Sequence, residues 1–335
     1  MSSRPQVIIT DHLAEAGVER SVLDPIADVR LLQTNDEAEV ERSATAADAL
    51  LVFHDIKLTR RSLSVLPRCR GVVRCGVGYD NVDLRAAGER GIIVCNVPDY
   101  GTEEVADHAL AMLLALARRL FPCDAAIRAG QWDVTSVYGA PRLRGRTLGI
   151  IGCGRIGTAM ALRCKALGLD VVIYDPYQPP GLEKALGVRR AYRLDELLRQ
   201  AEFVSLHCPL TPETHHILNE AALAKLPAGA YVINTARGPC VDGIALLGAL
   251  ESGRVAFAAL DVVEKEPLED QRLRRHPRIL LTPHAAFYSV ESFVEMRTKG
   301  AEEIRRLLLG EPVLNPVNRQ FLVNPRGVLP PIREV

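Results

Sequence analysis

Six short runs of almost entirely apolar residues follow one another in the middle of this sequence. They read LGIIG, DVVIYD, FVSLHC, AYVINT, FAALDV and ILLTP, at residues 148–152, 170–175, 203–208, 230–235, 257–262 and 279–283. Strands that are apolar on both faces are typical of a parallel sheet covered by helices on both sides, because each face must be buried. Helical stretches separate the runs, so this part of the chain is predicted to fold as βαβ units.

The first hundred residues show the same alternation. Their candidate strands are QVIIT, ALLVFHD, GVVRCG and GIIVCN, at residues 6–10, 49–55, 71–76 and 91–96. No glycine-rich turn follows the first of these strands, and the next residues, DHLAEAG, are predicted to start an ordinary helix. A chain of 335 residues is too long for one ordinary core, so two α/β domains are expected.

A long helix is predicted to begin at Thr102, a suitable N-cap, with two glutamates at its positive end. Two arginines suit its negative end, and Pro122 is predicted to stop it. Its middle, at 109–117, is apolar nearly all round, so it should be buried between domains or against another subunit. A further helix is predicted at 290–310, before a proline-rich tail.

Composition argues against several classes of partner. Lys plus Arg and Asp plus Glu both number 41, so no net field favours nucleic acid or an anionic membrane. The longest apolar run, at 109–117, is far short of a membrane span, and the N-terminus shows no secretory signal. Eight cysteines without a CxxC pair indicate reduced thiols in a cytoplasmic protein. The two histidines at 215–216 have no partner at metal-site spacing, so no metal is expected.

One turn carries the pattern of a phosphate-binding site. Gly152, Gly154 and Gly157 have G-x-G-x-x-G spacing between a strand and a helix. The first glycine makes the tight turn, the second lets backbone N–H groups approach a pyrophosphate, and the third lets the helix pack on the strand. Asp175 ends the next strand, where it can accept hydrogen bonds from both ribose hydroxyls and would repel a 2′-phosphate. The turn therefore predicts NAD (NADH) rather than NADP; a glycine turn without a ligand is the alternative.

Three polar residues, Arg237, Glu266 and His284, each follow one of the later strands. Parallel strands end at one edge of the sheet, so the fold can bring these residues together. An arginine fork matches a carboxylate and the adjacent carbonyl, a histidine exchanges protons near neutral pH, and a glutamate orients the imidazole. The set predicts oxidation of a 2-hydroxy acid, with His284 taking the hydroxyl proton while hydride passes to nicotinamide. Each residue alone is equally compatible with an ordinary loop.

Four separated motifs, GIIGCGRIG, NTARG, ALDVVEKEP and TPH, occur in the order seen in the D-isomer-specific 2-hydroxyacid dehydrogenases, which the chain resembles over about residues 45 to 315. The resemblance implies two Rossmann-like lobes, a flavodoxin-like substrate lobe and an NAD-binding Rossmann lobe, with the active site in the cleft. The substrate lobe would be discontinuous, from 1–101 plus 285–335, and the NAD-binding lobe would be 102–284. The resemblance further implies a homodimer that acts on a small D-2-hydroxy or 2-oxo acid, with the helix from Thr102 at the hinge and dimer contact.

The resemblance also implies roles for individual residues. The catalytic places fall to Arg237, Glu266 and His284. The residues that it places around the cofactor are Gly152, Gly154, Arg155, Ile156, Gly157, Asp175, His207, Cys208, Pro209, Thr235, Ala236, Arg237, Asp261 and His284. Those that it places around the substrate are Arg74, Gly76, Val77, Gly78, Arg237 and Phe287. The two glycines of RCGVGYDNVD allow backbone N–H donors to approach an anion closely.

The segment HAAFYS at 284–289 departs from the HIGG or HIGS of many family members. Together with RCGVGYDN and GIIVCNVP, it is most similar to the C-terminal binding protein branch. There the counterpart of Arg74 reaches toward the substrate acid and the aromatic at Phe287 contacts the substrate side chain; simple core packing is the alternative for Phe287. Animal members of that branch are dinucleotide-sensing corepressors, so a corepressor or scaffold is the second functional hypothesis.

Overall fold

The computed structural model describes residues 4–331, which form two compact units. The first unit contains the described residues up to Gly101 together with those from Ser289 onward. The second unit is the continuous segment Thr102–Tyr288. In this described part of the chain, no helix has both the length and the apolar character needed to cross a membrane.

The second boundary between the units lies four residues later than the sequence predicts, after Tyr288 instead of residue 284. The backbone N–H groups of Ala285 and Ala286 donate to the carboxylate of Asp261, at 2.9 and 3.0 Å, which ties these residues to the second unit. Ser289 then caps the next helix. The chain therefore leaves the second unit only after this loop is anchored.

Both units are built on parallel sheets, which confirms the predicted fold class. In chain order the strands are β1 (Gln6–Ile9), β2 (Asp28–Leu31), β3 (Ala49–Val52), β4 (Gly71–Arg74), β5 (Ile93–Asn96), β6 (Thr147–Ile151), β7 (Asp170–Tyr174), β8 (Arg189–Arg190), β9 (Phe203–Leu206), β10 (Ala230–Asn234), β11 (Val255–Leu260) and β12 (Ile279–Leu281). The first unit has the order β2-β1-β3-β4-β5, the flavodoxin-like order, and the second has β12-β11-β10-β9-β6-β7-β8. The order therefore reverses between β1 and β3 in one sheet and between β6 and β9 in the other.

Helices cover the faces of both sheets. They are α1 (Gly17–Leu23), α2 (Glu37–Ser43), α3 (Arg60–Ser64), α4 (Leu84–Glu89), α5 (Thr102–Ala117), α6 (Leu120–Arg128), α7 (Arg155–Ala166), α8 (Leu182–Leu186), α9 (Leu194–Leu198), α10 (Glu220–Leu223), α11 (Gly243–Glu251), α12 (Gln271–Arg274) and α13 (Val290–Leu309). Short 3₁₀ helices are η1 (Val134–Val137), η2 (Gly238–Cys240) and η3 (Arg319–Phe321). The central strands are buried on both faces, as the apolar runs predict.

Helix α13 returns the chain to the first unit and packs on β3 and β4. Gly300 allows a close approach there, because a Cβ on it would lie 2.5 Å from the Cys75 sulfur. On another side, Arg297 donates from Nε and Nη2 to the buried carboxylate of Glu19 on α1, at 2.7 Å each. Helix α13 is therefore an integral part of the first unit.

The proline-rich tail is ordered against the edge strand β5. Asn318 is fully buried; its Nδ2 donates to the Ile92 carbonyl and its Oδ1 accepts from the Val94 N–H, both at 2.9 Å. Pro312 and Val328 form a further bridge within the tail. The tail thus satisfies backbone groups that the edge of the sheet would otherwise expose.

The prediction that Pro122 stops the long helix is wrong. Helix α5 ends at Ala117, and Arg119 adopts a left-handed conformation with φ of 54° before α6 begins. Pro122 lies in the first turn of α6, where a backbone N–H has no helical partner to lose. Most of the apolar middle of α5 is buried against α7, β10 and β11 within the second unit.

The helix predicted directly after β1 is absent, because α1 begins only at Gly17. Asp11 has a positive φ of 60°, and its carboxylate accepts the N–H groups of Phe53, Asp55 and Ile56 at 3.0, 3.0 and 3.1 Å. This carboxylate therefore organises the loop after β3 at the point where the strand order reverses.

Candidate functional site

The glycine turn between β6 and α7 depends on glycine at two positions for packing. Gly152 has a φ of 89°, a region that L side chains rarely adopt, and a Cβ there would lie 2.6 Å from the Cys208 nitrogen. A Cβ on Gly157 would lie 2.0 Å from the carbonyl oxygen of Gly152. Both glycines therefore allow α7 and the loop after β9 to approach β6 closely.

The glycine at the centre of the turn has a different role. Gly154 is the N-cap of α7, has extended backbone, and a Cβ on it would meet no atom within 4 Å. Arg155 and Ile156 follow as the first residues of α7, whose N-terminus has no side-chain cap. A long helix with uncapped N–H groups beside open space fits a pyrophosphate, which this partial positive charge would stabilise.

The carboxylate of Asp175 lies directly beside this turn. Its Oδ2 accepts the N–H of Cys153 at 2.8 Å, and its Oδ1 accepts the N–H of Tyr177 at 2.9 Å. The guanidinium of Arg190 donates to the backbone carbonyls of Asp175 and Gln178, both at 2.8 Å. The negative charge is therefore fixed at the end of β7, while the nearby arginine is used to shape the loop.

Two buried polar atoms lie without a hydrogen-bond partner at neighbouring strand ends. They are Nδ1 of His207, after β9, and Oγ1 of Thr235, after β10. The other ring nitrogen of His207 lies 2.8 Å from Oγ of Ser205. Burial lowers the pKa of His207 to about 4, so its imidazole is neutral near pH 7. With Cys208 and Pro209 next in the chain, this edge offers polar atoms that a bound ligand could satisfy.

His284 and Glu266 lie in contact. Nδ1 of His284 lies 2.7 Å from Oε2 of Glu266, and Oε1 of Glu266 accepts the N–H of Val263 at 3.1 Å. An ionised carboxylate can only accept, so Nδ1 carries the proton in this contact, and Nε2 is the other ring nitrogen. The ring of Phe287, which is half-buried, packs edge-on to His284 with the centroids 6.4 Å apart.

Asp261 anchors the loop that carries His284. It is 3% exposed, and its carboxylate accepts from the hydroxyl of Thr282 at 2.6 Å as well as from the N–H groups of Ala285 and Ala286. Its backbone carbonyl accepts the N–H of His284 at 2.8 Å. His284 itself has a positive φ of 54°. The loop is thus fixed through both the main chain and the side chain of Asp261.

Arg237 lies on the loop after β10. Its Nη1 donates to the carbonyl of Ala236 at 2.7 Å, and Asn234 fixes the loop by donating to the Arg237 carbonyl and accepting from the Ala236 N–H. A Cβ on Gly238 would lie 1.9 Å from the Val263 carbonyl oxygen. The Arg237 loop therefore packs directly on the loop that leads to Glu266.

The residues assigned to the substrate carboxylate lie in the first unit, at the carboxyl end of β4. Arg74 is 7% exposed and its Nη1 donates to the Cys75 carbonyl at 3.0 Å. Gly76 has a φ of 142°, and a Cβ there would lie 1.5 Å from that Nη1. The carbonyl of Val77 accepts from Asn96 at 2.7 Å, which anchors the loop before Gly78. These residues thus form one ordered loop around the Arg74 side chain.

The two adjacent histidines connect loops of the second unit. His216 contacts Oε1 of Glu264 through Nε2, and its backbone N–H donates to the Pro239 carbonyl at 2.7 Å. Oε2 of Glu264 accepts the N–H of Gly243 at 3.0 Å. Among residues 4–331, no group of three or more His, Cys, Asp or Glu side chains is arranged to hold a metal ion.

Sequence reasoning missed His108 and the role of Thr282. Nε2 of His108, on α5, lies 3.0 Å from Oγ1 of Thr282, which donates to Asp261. Thr282 is part of the TPH motif, and this was the only available signal. His108 gives no signal, because it is 174 residues away from its partner.

Comparison with known proteins supports one family. A family model described as D-isomer specific 2-hydroxyacid dehydrogenase, NAD binding domain, matches residues 110–286. The chain is 39% identical over 314 residues to a D-3-phosphoglycerate dehydrogenase of Mycobacterium leprae, covering 94% of this chain. It spans 59% of the length of the curated relatives that it matches.

Solved structures agree in fold over most of the chain. A glyoxylate reductase from Paecilomyes thermophila has a TM-score of 0.87 and 30% identity, covering 96% of this chain and 100% of that one. An NADPH-dependent glyoxylate/hydroxypyruvate reductase from Sinorhizobium meliloti, solved with NADP and malonate, has a TM-score of 0.84 and 31% identity, covering 94% and 97%. With the NAD-binding domain matched and this turn in place, the chain belongs to the D-isomer-specific 2-hydroxyacid dehydrogenase family.

Proposed function

We propose that this chain is an NAD-dependent D-2-hydroxyacid dehydrogenase that interconverts a small 2-hydroxy acid and its 2-oxo acid. The observation that carries the proposal is the 2.7 Å contact between His284 and Glu266 in the unit that bears the glycine turn. A histidine held by a carboxylate is suited to general acid–base chemistry near neutral pH. Family membership supports the same reaction class.

The cofactor site is assigned to the edge of the second sheet. Bound NAD would supply the hydride acceptor there, and NADH the hydride donor in the reverse direction. The open N-terminus of α7 would hold the pyrophosphate, and Asp175 would accept from the ribose hydroxyls. A 2′-phosphate would meet the charge of Asp175, while Arg190 is already held by backbone carbonyls. These contacts favour NAD, in contrast to the NADPH-dependent relative.

The chain's own residues account for the proton and the substrate carboxylate. In oxidation, Nε2 of His284 removes the hydroxyl proton, and the carboxylate of Glu266 stabilises the resulting imidazolium. In reduction, the same nitrogen donates the proton to the carbonyl oxygen. The guanidinium of Arg237 is assigned to the carboxylate and carbonyl oxygens, where its fork fits both.

The substrate side is assigned to Arg74, the N–H groups of 76–78, and Phe287. A loop with two glycines lets backbone donors approach a carboxylate closely. Phe287 packs against His284 and would contact the substituent at C2 of the acid. The relatives are named for phosphoglycerate, glyoxylate and hydroxypyruvate, all of them small acids.

A homodimer is part of the proposal. Large apolar side chains are exposed along α6 and the following segment through η1: Leu120, Ile127, Trp132, Val134 and Tyr138. Trp132 is 91% exposed, and neither α6 nor η1 buries any residue in the monomer. A second copy of the chain would cover this surface. Sedimentation of Trp132→Ser should then show a weaker dimer than the wild type.

The first test is NADH oxidation with a panel of 2-oxo acids: glyoxylate, hydroxypyruvate, phenylpyruvate and 4-methylthio-2-oxobutyrate. At least one acid should be reduced, and His284→Gln should lower kcat by about 10²- to 10⁴-fold because the proton donor is lost. The NADH Kd of this variant, measured by calorimetry, should stay within threefold of wild type. His276→Gln, at the amino end of the same strand β12, is the matched control.

The alternative function has a distinct outcome. Tight NADH binding without turnover across a broad panel would contradict the dehydrogenase. That result would favour a dinucleotide-sensing corepressor or scaffold, in which the cofactor is a ligand and His284 has no proton to transfer. A kcat unchanged in His284→Gln would instead reject the role given to this residue.

A further inference from the structure

We propose that His108 and Thr282 are positioning residues for His284, acting through Asp261; this inference rests on the proposed function. Nε2 of His108 lies 3.0 Å from Oγ1 of Thr282, and Oγ1 of Thr282 lies 2.6 Å from Oδ1 of Asp261. Neither His108 nor Thr282 is assigned a role by the sequence motifs. All of these residues belong to the second unit.

The direction of each hydrogen bond follows from the donors available. A threonine hydroxyl has one hydrogen, and the Asp261 carboxylate, which also accepts two backbone N–H groups, takes it. Nε2 of His108 must therefore carry a proton and donate to the Thr282 oxygen. The same nitrogen lies 3.8 Å from Oδ1 of Asp261, so its partial charge also faces the carboxylate.

The backbone of His284 explains why such support is needed. Its φ of 54° is uncommon for a residue other than glycine and is kept only where the surroundings hold it. Asp261 provides that restraint through its carbonyl to the His284 N–H and through its carboxylate to the next two N–H groups. Movement of the Asp261 carboxylate would therefore release the loop that holds the imidazole beside Glu266.

Helix α5 provides a rigid anchor for this chain of contacts. Its neighbouring residues Ala106, Ala109 and Met112 are buried against α7 and the sheet, so the backbone of His108 is fixed. The imidazole is 28% exposed, which places it at the rim of the buried carboxylate. A donor fixed on α5 thus limits where the hydroxyl of Thr282, and through it the carboxylate of Asp261, can lie.

The test compares His108→Leu, which removes the donor, with His108→Gln, whose amide can replace Nε2–H. For the leucine variant we expect kcat to fall about tenfold, as for the loss of one hydrogen bond in a polar network, with the NADH Kd within threefold of wild type. Glutamine should restore kcat to within threefold. Thr282→Val, which keeps the shape but removes the hydroxyl, should resemble the leucine variant.

A second measurement does not depend on turnover. Hydrogen–deuterium exchange of the peptide covering 283–288 should accelerate in His108→Leu and Thr282→Val, because the N–H groups of Ala285 and Ala286 lose a fixed acceptor. Glutamine at 108 should protect this peptide as the wild type does. His276→Leu, a histidine replacement at the other end of β12, should leave it unchanged.

Three outcomes would overturn the proposal. Unchanged exchange and unchanged kcat in His108→Leu would show that the contact has no effect on the loop. Equal losses in the leucine and glutamine variants would show that His108 acts by packing. Accelerated exchange without a change in kcat would separate the loop from catalysis. If the wild type reduces no acid at all, the proposed function fails, and unchanged exchange would then still reject the positioning role.

Discussion

The two sheets differ at the switch point, the place where the strand order reverses. In the first unit, Asp11 follows β1 and its carboxylate accepts three backbone N–H groups of the loop after β3. In the second unit, the turn after β6 carries glycine at the corresponding positions; Asp175 accepts only the N–H of Cys153 there, and Gly154 faces open space at the start of α7. A side chain of the first unit thus accepts the donors of its loop, whereas the N-terminus of α7 in the second unit has no side-chain cap.

This difference shows that a parallel sheet alone does not make a ligand site. Both sheets reverse their strand order, and the crevice at such a point is where ligands bind in open α/β folds. The two units differ in the residues that follow the first strand of each sheet, β1 and β6. In the first unit the carboxylate of Asp11 binds three backbone N–H groups, and in the second unit Gly154 adds no side chain beside the start of α7.

The largest effect should come from changing the glycines of the second switch point. Gly157→Ala places a methyl 2.0 Å from a backbone oxygen that cannot yield, so α7 must move from β6. We expect a loss of about 3 kcal/mol or more in unfolding free energy and no measurable NADH binding by calorimetry. Gly154→Ala meets no protein atom and should keep the melting temperature while raising the NADH Kd at least tenfold. Wild-type affinity for NADH in Gly154→Ala would contradict the proposal that the pyrophosphate occupies the open space at the start of α7.

A smaller effect should follow from replacing Asp11 at the switch point of the first unit. Asp11→Asn replaces an acceptor of three N–H groups with an amide that cannot accept them all. The free energy of unfolding, from urea titration, should fall by about 2–3 kcal/mol, while the NADH Kd stays within twofold. Asp28→Asn, which breaks only an exposed pair with Arg4, should lose less than about 1 kcal/mol. Equal losses in the two variants would remove the special role of Asp11.

The charge of Asp175 should set the choice of dinucleotide. Asp175→Asn keeps the side-chain shape but removes the charge that would repel a 2′-phosphate. The ratio of kcat/KM for NADH over NADPH should fall about tenfold, roughly 1.4 kcal/mol. Asp170→Asn, at the other end of β7 in an exposed pair with Arg189, is the control. An unchanged ratio in Asp175→Asn would mean that another residue discriminates.

The smallest effect concerns acid stability, and it arises in the second unit. Burial lowers the pKa of His207 to about 4, so the unfolded chain binds a proton near pH 6.5 that the folded chain refuses. Unfolding free energy should therefore fall as the pH drops from 7 to 5.5, by roughly 1 kcal/mol from this residue. His207→Gln should remove that part of the slope, whereas His12→Gln, at an exposed site in the first unit, should not. Identical slopes in wild type and His207→Gln would reject the assignment.

Sequence patterns found the central strands and missed two at the edges. The central strands are continuous apolar runs because both faces are covered. Strand β2 carries Asp28 and Arg30, and β8 consists of Arg189 and Arg190 alone. These two edge strands carry charged side chains that reach water, so no apolar run marks them, unlike the edge strands β5 and β12.

Sequence patterns likewise predicted some residues of the candidate site and missed others. The glycine turn and Asp175 lie within one βαβ unit, so local spacing was enough to pair them. The contact between His108 and Thr282 joins residues 174 positions apart, and no local pattern encodes it. The left-handed Asp11 was likewise missed, because its partners come from the loop after β3.

The return of α13 to the first unit has a consequence for biosynthesis. The strands of the first unit are made first, yet β3 and β4 lack the helix that covers them until Val290–Leu309 has been translated. The second unit, Thr102–Tyr288, is continuous and is complete before that helix appears. At roughly 5–20 residues per second, its synthesis delays the first unit by on the order of 10–40 s. The part of the protein that is synthesised first on the ribosome is therefore the last to close.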